Sequence, residues 1–255
     1  MTLEPFAAYS ADRSLKGKLR RRLVRLVERR PARVALEQAM VSFSFDDAPA
    51  SAVAAGAEAL EARGARGSYF ISAGLAGREG PMGRYATRDE VMALAPAGHE
   101  IACHTFSHLD CGQAGRAAIE ADVARNHEAL AAWGAGEATT FAYPYGDVSR
   151  AAKAALGARY GLLRGLSAGL IETGTDLNQA PAVGIEGPEG ERKAMAWLGR
   201  AMARKAWLIL YTHDVAETPS AWGCTPAALG RLIDAAVAGG CDIVTVAEGA
   251  RRVGR

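Results

Sequence analysis

Four short segments of this chain concentrate residue types that carry out hydrolytic chemistry, and each follows an apolar run with strand character. The first is Phe45-Asp46-Asp47, two carboxylates closing the alternating stretch Met40 to Phe45. Neighbouring strand residues point to opposite sides, so the two acids are expected to take different partners and different roles. Taken alone, the pair also reads as a polar opening to a loop or a helix cap. The second segment is His104-Thr105-Phe106-Ser107-His108. Histidines four apart share a helical face and present two imidazoles to one ion, although surface helices also carry such pairs by chance. An aspartate from another strand end would complete two nitrogens and one oxygen, a common catalytic zinc set with a position left open for water. Cys103 and Cys111 flank the pair and raise a closed His and Cys site as the alternative. Cys103 would point away from its neighbour His104, and Cys111 lies beyond the turn at Leu109-Asp110, so both read as buried or loop thiols.

The third segment is the aromatic Pro-Gly loop Phe141-Ala142-Tyr143-Pro144-Tyr145-Gly146, and the fourth is Leu210-Tyr211-Thr212-His213-Asp214. Singly they read as a turn and a capped strand end. Jointly, the four lie where parallel α/β folds build their sites, just past the C-terminal ends of strands. Trp222, on the loop after the His213 strand, is placed to stack on a sugar ring, with a core anchor as the other reading. His99 and His127 fit structural roles.

The elements that must position these residues follow from composition and period. The chain has 255 residues, 49% hydrophobic and 23% charged, which excludes disorder and supplies one sizeable core. Strands are expected near 40–45, 67–72, 100–103, 139–143, 161–163, 207–212 and 242–246. Between them fall helices near 50–63, 88–94, 117–133, 150–156, 192–205 and 226–238. This alternation predicts a mostly parallel sheet covered by helices, and about seven strands favour a barrel over an open sheet. No apolar run approaches the ~18 residues of a membrane span. Met1 to Pro5 is followed by charge rather than a signal-like apolar segment, and four scattered cysteines fit a reducing compartment, so the expectation is cytoplasmic.

Charge is lopsided. Residues 1–40 hold 10 Lys and Arg against 4 acids, whereas the whole chain carries a formal net charge of only +2. Residues 1–38 are therefore read as a basic arm, and 39–255 as the body. Within the arm, residues 14–30 predict an amphipathic helix, with Leu15, Leu19, Leu23 and Leu26 among Lys16, Lys18, Arg20, Arg21, Arg22 and Arg25, stopped by Pro31. Docking on an anionic membrane and packing across the body are equal readings of that spacing. Nucleic acid is not expected, because aromatics are not interleaved with the basic residues.

Together, Ser44-Phe45-Asp46-Asp47, the His104 to His108 segment, Tyr143-Pro144-Tyr145-Gly146 and Thr212-His213-Asp214 resemble, in order, the motifs of the polysaccharide deacetylases, carbohydrate esterase family four. The resemblance spans about residues 40–250 and leaves the arm outside. It implies an α/β fold, a distorted seven-stranded (β/α) barrel. The implied function is a metal-dependent hydrolase that removes N-acetyl groups from N-acetylhexosamine units of a polysaccharide or lipid-linked glycan. By the same resemblance, Asp46 is the general base, and Asp47, His104 and His108 hold a divalent metal, zinc first and cobalt, nickel or manganese next. The Tyr145 main-chain N–H helps form an oxyanion hole, His213 is the general acid, and Tyr143 and Pro144 join Trp222 at the substrate.

Two departures from the family pattern stand out. The third-motif arginine that orients the catalytic aspartate is replaced by Ala142, for which Arg164 is the expected substitute, a surface arginine being the other reading. The Asp-Trp motif that tunes the histidine acid is not evident, and Asp176 is the candidate for its carboxylate. With a cytoplasmic setting and a basic arm, the expected substrate is a glycolipid or nascent exopolysaccharide at the inner membrane surface, as in holdfast-type pathways. The rival expectations are hydrolysis of another acyl C–N bond in a small metabolite, and a non-catalytic glycan-binding protein on the same fold.

Overall fold

Strand β1, Met40–Asp46, is buried along its whole length, and the rest of the architecture is arranged on its two faces. The computed structural model describes residues 15–254; the expectations for Met1 to Pro5 and for the start of the arm at Ser14 lie outside the described residues. In chain order, α1 (Leu15–Leu23) precedes β1, and α2 (Ala57–Glu61) follows it after a π-helical turn at Ala52–Gly56. Then come β2 (Ser68–Ile71), a small hairpin of β3 (Glu79–Gly80) and β4 (Gly83–Arg84), α3 (Arg88–Met92), β5 (Glu100–Cys103) and α4 (Arg116–Trp133). The second half holds β6 (Thr140–Ala142), α5 (Arg150–Leu156), β7 (Leu162–Arg164), β8 (Val183–Gly184) and α6 (Gly190–Arg204). It ends with β9 (Trp207–Thr212), α7 (Pro226–Ala238), β10 (Asp242–Ile243) and α8 (Val246–Val253).

The sheet runs β7-β6-β5-β2-β1-β9-β8, with every pairing parallel and β10 beside the N-terminal end of β1. It curls into a distorted (β/α) barrel. Closure is irregular: the Ala180 N–H donates to Leu163 and the Gly165 N–H to Ala180, while Val183 pairs with Leu210, so one short stretch leans on both edges. The alternation in β1 is explained by two different buried faces. Val41, Phe43 and Phe45 pack outward with Leu60, Leu229, Leu232 and Ile233, whereas Met40 joins Phe70, Ala142, Trp207 and Ile209 inside the barrel. Small serines suit that crowded interior and are satisfied there: the Trp207 indole N–H donates to Ser42 Oγ at 3.0 Å, and Ser44 Oγ donates to the Leu210 carbonyl at 2.9 Å.

The expected strand near 242–246 is corrected to a two-residue strand followed by α8. Thr245 caps that helix, accepting the Glu248 N–H, a Thr-x-x-Glu start signal that outweighs the β-branched residues. The helix plugs the N-terminal end of the barrel, where the Val246 and Ala247 N–H groups donate to Ser68 and the half-buried Glu100.

The arm lies across the body. Its helix gives way to a 3₁₀ turn at Val24–Leu26, short of the expected end at Arg30. Backbone pairing replaces the helix beyond that point: Arg30 donates its N–H to Asp176, Ala32 donates to Thr175 and Arg33 to Val253. The buried Lys153 fastens this junction, with Nζ 2.6 Å from Asp176 and 2.9 Å from the Val24 carbonyl. Among the described residues, no helix is long and apolar enough to cross a membrane.

Gly249 faces the Trp207 ring so closely that an added Cβ would collide with it. Gly249→Ala should therefore destabilise the fold by about 1–3 kcal/mol despite alanine's better helix propensity. Chemical denaturation measures this, and an unchanged midpoint would mean that α8 yields freely.

Candidate active site

The two acids at the end of β1 diverge as the strand stops. Asp47 and Ala48 both take left-handed conformations, φ 60° and 51°, which turns the chain sharply at the barrel mouth. Asp46 faces Arg164, whose fully buried guanidinium donates to its Oδ1. Burial alone would raise the Asp46 pKa; Arg164, helped by His104 and His213, outweighs it and holds the carboxyl below its ordinary value. Of the two readings of Arg164, the structure thus places it inside the barrel against Asp46, with its guanidinium over the rings of Phe70 and Tyr211.

Asp47 turns to the histidines. Its Oδ1, buried and without a hydrogen-bond partner among the described residues, lies 3.3 Å from His108 Nε2 and 3.6 Å from His104 Nε2. One ligand atom from each of the three residues falls within 4.8 Å of the others. Burial first, then neighbouring positive groups, pushes both imidazoles down to about 4, so they are neutral at physiological pH. His104 Nδ1 lies 2.8 Å from the Ala142 carbonyl, which fixes the proton on Nδ1 and leaves the Nε2 lone pair facing Asp47. An orphaned carboxylate oxygen beside a free imidazole lone pair is the arrangement a divalent cation completes.

The histidine segment is not the helix its spacing predicts. Thr105 and His108 are left-handed, φ 63° and 57°, in a loop after β5. Side chains replace the helical hydrogen bonds. Asp122 on α4 accepts the Phe106 and Ser107 N–H groups at 2.7 and 3.0 Å together with the Ser107 hydroxyl, and Thr105 Oγ1 accepts the Leu109 N–H. Asn126, one turn on, accepts the Ala73 N–H and donates to the Ile71 carbonyl. Both were missed from sequence; the available signal was a buried Asp and Asn four apart on the body-facing side of a long helix.

Tyr145 also takes a left-handed conformation, φ 60°, and sets its ring edge-on to His108 with centroids 4.4 Å apart. Tyr143 and Pro144 require a correction as substrate contacts. The Tyr143 ring is buried against Phe141 and its hydroxyl donates to the Asn178 carbonyl, and Pro144 is buried beside it. They support the loop rather than face the mouth.

His213 Nδ1 lies 2.9 Å from Glu186 Oε1, so Glu186, just past β8, takes the place expected of Asp176, which instead pairs with Lys153. His213 Nδ1 also lies 3.3 Å from the Trp222 carbonyl; burial would lower His213, but the adjacent Glu186 and the surrounding carboxylates overcome it and raise the imidazole to about 9. The loop after β9 is folded around Asp214, which accepts the Ser220 N–H at 2.7 Å. It leaves Trp222 47% exposed beside His213, so the core-anchor reading of this tryptophan is excluded. His99 and His127 are structural, the first between the Gly67 N–H and Glu61, the second against the Tyr160 hydroxyl.

Two outcomes follow from this geometry. Asp122→Ala should loosen the histidine loop and weaken divalent-metal affinity about 10- to 100-fold, read by zinc titration calorimetry; wild-type affinity would show that the loop holds itself. Glu186→Gln removes the group that keeps His213 charged. Wild-type His213 should lose its proton as the pH rises through about 9, and the variant at clearly lower pH, where burial dominates. Ring ¹⁵N NMR titration gives both midpoints, and identical values would dismiss Glu186 as the cause.

Comparisons with known proteins agree with the fold. No curated protein matches the chain significantly. Among solved structures, the chitin deacetylase from the fungal pathogen Colletotrichum lindemuthianum superposes with a TM-score of 0.61 at 20% identity, covering 84% of this chain and 89% of that one. The Xyl-CE4 domain of a multidomain xylanase from the hindgut metagenome of Trinervitermes trinervoides gives 0.60 at 18% identity, over 83% and 89%. A family 4 acetyl xylan esterase from Clostridium thermocellum, in complex with cobalt, gives 0.56 at 18% identity, over 82% and 89%. The sequence model for polysaccharide deacetylases matches residues 33–162, just over half of the sequence, and the chain belongs to that family.

Proposed function

We propose that this protein removes N-acetyl groups from N-acetylhexosamine units of a polysaccharide or lipid-linked glycan and releases acetate. The observation that carries the reading is the division of labour between the adjacent acids: Asp46 is kept ionised by Arg164, while Asp47 converges with His104 and His108. Those three residues would hold a divalent cation, zinc first, which supplies Lewis acidity to the acetyl carbonyl and to water. Asp46 takes the proton of the attacking water, and Arg164 positions its carboxylate. The Tyr145 N–H donates to the carbonyl oxygen as that oxygen gains charge. An amide nitrogen departs poorly unless protonated, and His213, held as an imidazolium by Glu186, donates that proton from the ring nitrogen away from Glu186. Trp222 offers an exposed aromatic face to a sugar ring next to His213.

All four cysteines are free thiols, which supports a reducing, cytoplasmic setting. A glycan made on the inner membrane surface, before export, fits that setting.

The test is acetate release by the full chain from N-acetylated chitooligosaccharides, O-acetylated xylan and small N-acyl metabolites, with and without chelator and added zinc. Release from the N-acetylated glycans, lost on chelation and lowered about 10²- to 10⁴-fold by Asp46→Asn, is the expected result. Release confined to xylan or to the small metabolites would replace the proposed substrate class. Glycan binding without turnover on any of them would make the protein a binding module.

A further inference from the structure

The arm carries its apolar side chains on the wrong face for a helix whose only task is to cover the body. Gly17, Arg20 and Val24 lie toward the barrel, with Gly17 and Val24 buried. Leu19, Leu23 and Leu26 face outward at 56%, 52% and 71% exposure, half of the six exposed large hydrophobic side chains among the described residues. Leu19, Arg22, Leu23 and Leu26 follow the i, i+3, i+4, i+7 spacing of one helical face. An ordinary surface helix buries such a stripe, and single exposed leucines need no explanation, but a row of three does.

The charges around the stripe indicate what covers it. Arg22, Arg25 and Arg29 are exposed in the same stretch, with Arg25 also donating to Ser167 Oγ at 3.3 Å and Arg29 to the Gly174 carbonyl at 2.8 Å. The one acid in this stretch, Glu28, already faces Arg150 at 3.3 Å. Leucines flanked by guanidinium groups are the composition of a helix that lies in a membrane interface, apolar side among acyl chains and cations among phosphates. The arm is also fastened where docking has a consequence. Arg20 donates to the Gly112 carbonyl and lies 2.7 Å from Asp147, the first in the segment after the His108 loop and the second directly after Tyr145-Gly146. The joint is tight, because a Cβ at Gly112 would collide with the Asp147 carboxylate.

We propose that the outward face of the arm, Leu19, Leu23 and Leu26 with Arg22, Arg25 and Arg29, docks the protein on anionic phospholipid. Through Arg20, docking holds the loops at the C-terminal edge of the sheet close to the lipid surface. A lipid-linked substrate would then be presented along the membrane rather than captured from bulk solution.

The experiment is co-sedimentation of the full chain with vesicles of phosphatidylcholine alone or mixed with phosphatidylglycerol. Binding should require phosphatidylglycerol and fall as salt is raised from about 0.1 M toward 1 M, where screening shortens from about 10 Å to 3 Å. The combined variant Leu19→Ser, Leu23→Ser and Leu26→Ser should lose more than about tenfold in partitioning. Each of Arg22→Gln, Arg25→Gln and Arg29→Gln should lose about fivefold. Indifference of the wild type to anionic vesicles, binding insensitive to salt, or undiminished binding by the leucine variant would each overturn the proposal. So would an arm-dependent homodimer that ignores vesicles, because a second copy would then be the cover. The wild-type salt series decides the matter even if the leucine variant folds poorly. Vesicle binding needs no turnover, so its failure is distinguishable from failure of the deacetylase reading.

Discussion

Two carboxylates on consecutive residues cannot both be buried at the end of one strand unless something positive stands near each, and the site is organised by that constraint. Arg164 answers it for Asp46 from inside the barrel. For Asp47 the protein offers neutral imidazoles and an orphaned oxygen, an incomplete answer that a cation would complete. The curl of the sheet makes both possible. It carries the end of β7 round to face the end of β1, although three strands, β6, β5 and β2, lie between them in the sheet order. A flat sheet of the same strands would leave Asp46 buried and unpaired, and its proton affinity would rise rather than fall.

Precision at the mouth comes from loops held in conformations that side chains rather than helical bonds enforce. Asp47, Ala48, Thr105, His108 and Tyr145 are all left-handed, so five of the seven non-glycine residues with positive φ among the described residues line this one region. Such conformations persist only where the surroundings over-determine them, and here Asp122 and Asn126 of α4 do so for the histidine loop. On the far side, His213 is positioned by β9 and charged by Glu186. The opposite pKa displacements of Asp46 and His213 leave a charged carboxylate and a charged imidazole facing a single mouth.

The arm presents two unlike faces. Its inner face is tied to the body by Arg20, Val24 and Arg30, and its outer face is left apolar and cationic. Of the two readings of the leucine spacing, the structure shows the helix lying on the body, with Leu19, Leu23 and Leu26 left exposed on its other side.

The elements themselves were legible in the sequence, because strand and helix periods are local: β5, β9, α5 and α7 fall at the expected residues. So were the residues at strand ends, since a parallel α/β fold brings all such ends to one side. Where side chains compete with local pattern, legibility ended. The four-residue histidine spacing suggested a helix, but Asp122, sixteen positions from Phe106, satisfied the loop's donors instead. Tyr143 looked like a mouth residue and is a core support, because its loop turns at Tyr145 rather than before it. Glu186 follows a strand of two residues, too short to announce itself, and meets His213 only because β8 pairs with β9. By itself the sequence determined which residues end the strands and where charge accumulates, both properties of neighbours along the chain. Only the tertiary structure decided which partner each ionisable group finds and which face of the arm meets water, because those depend on the curl that brings distant strand ends together.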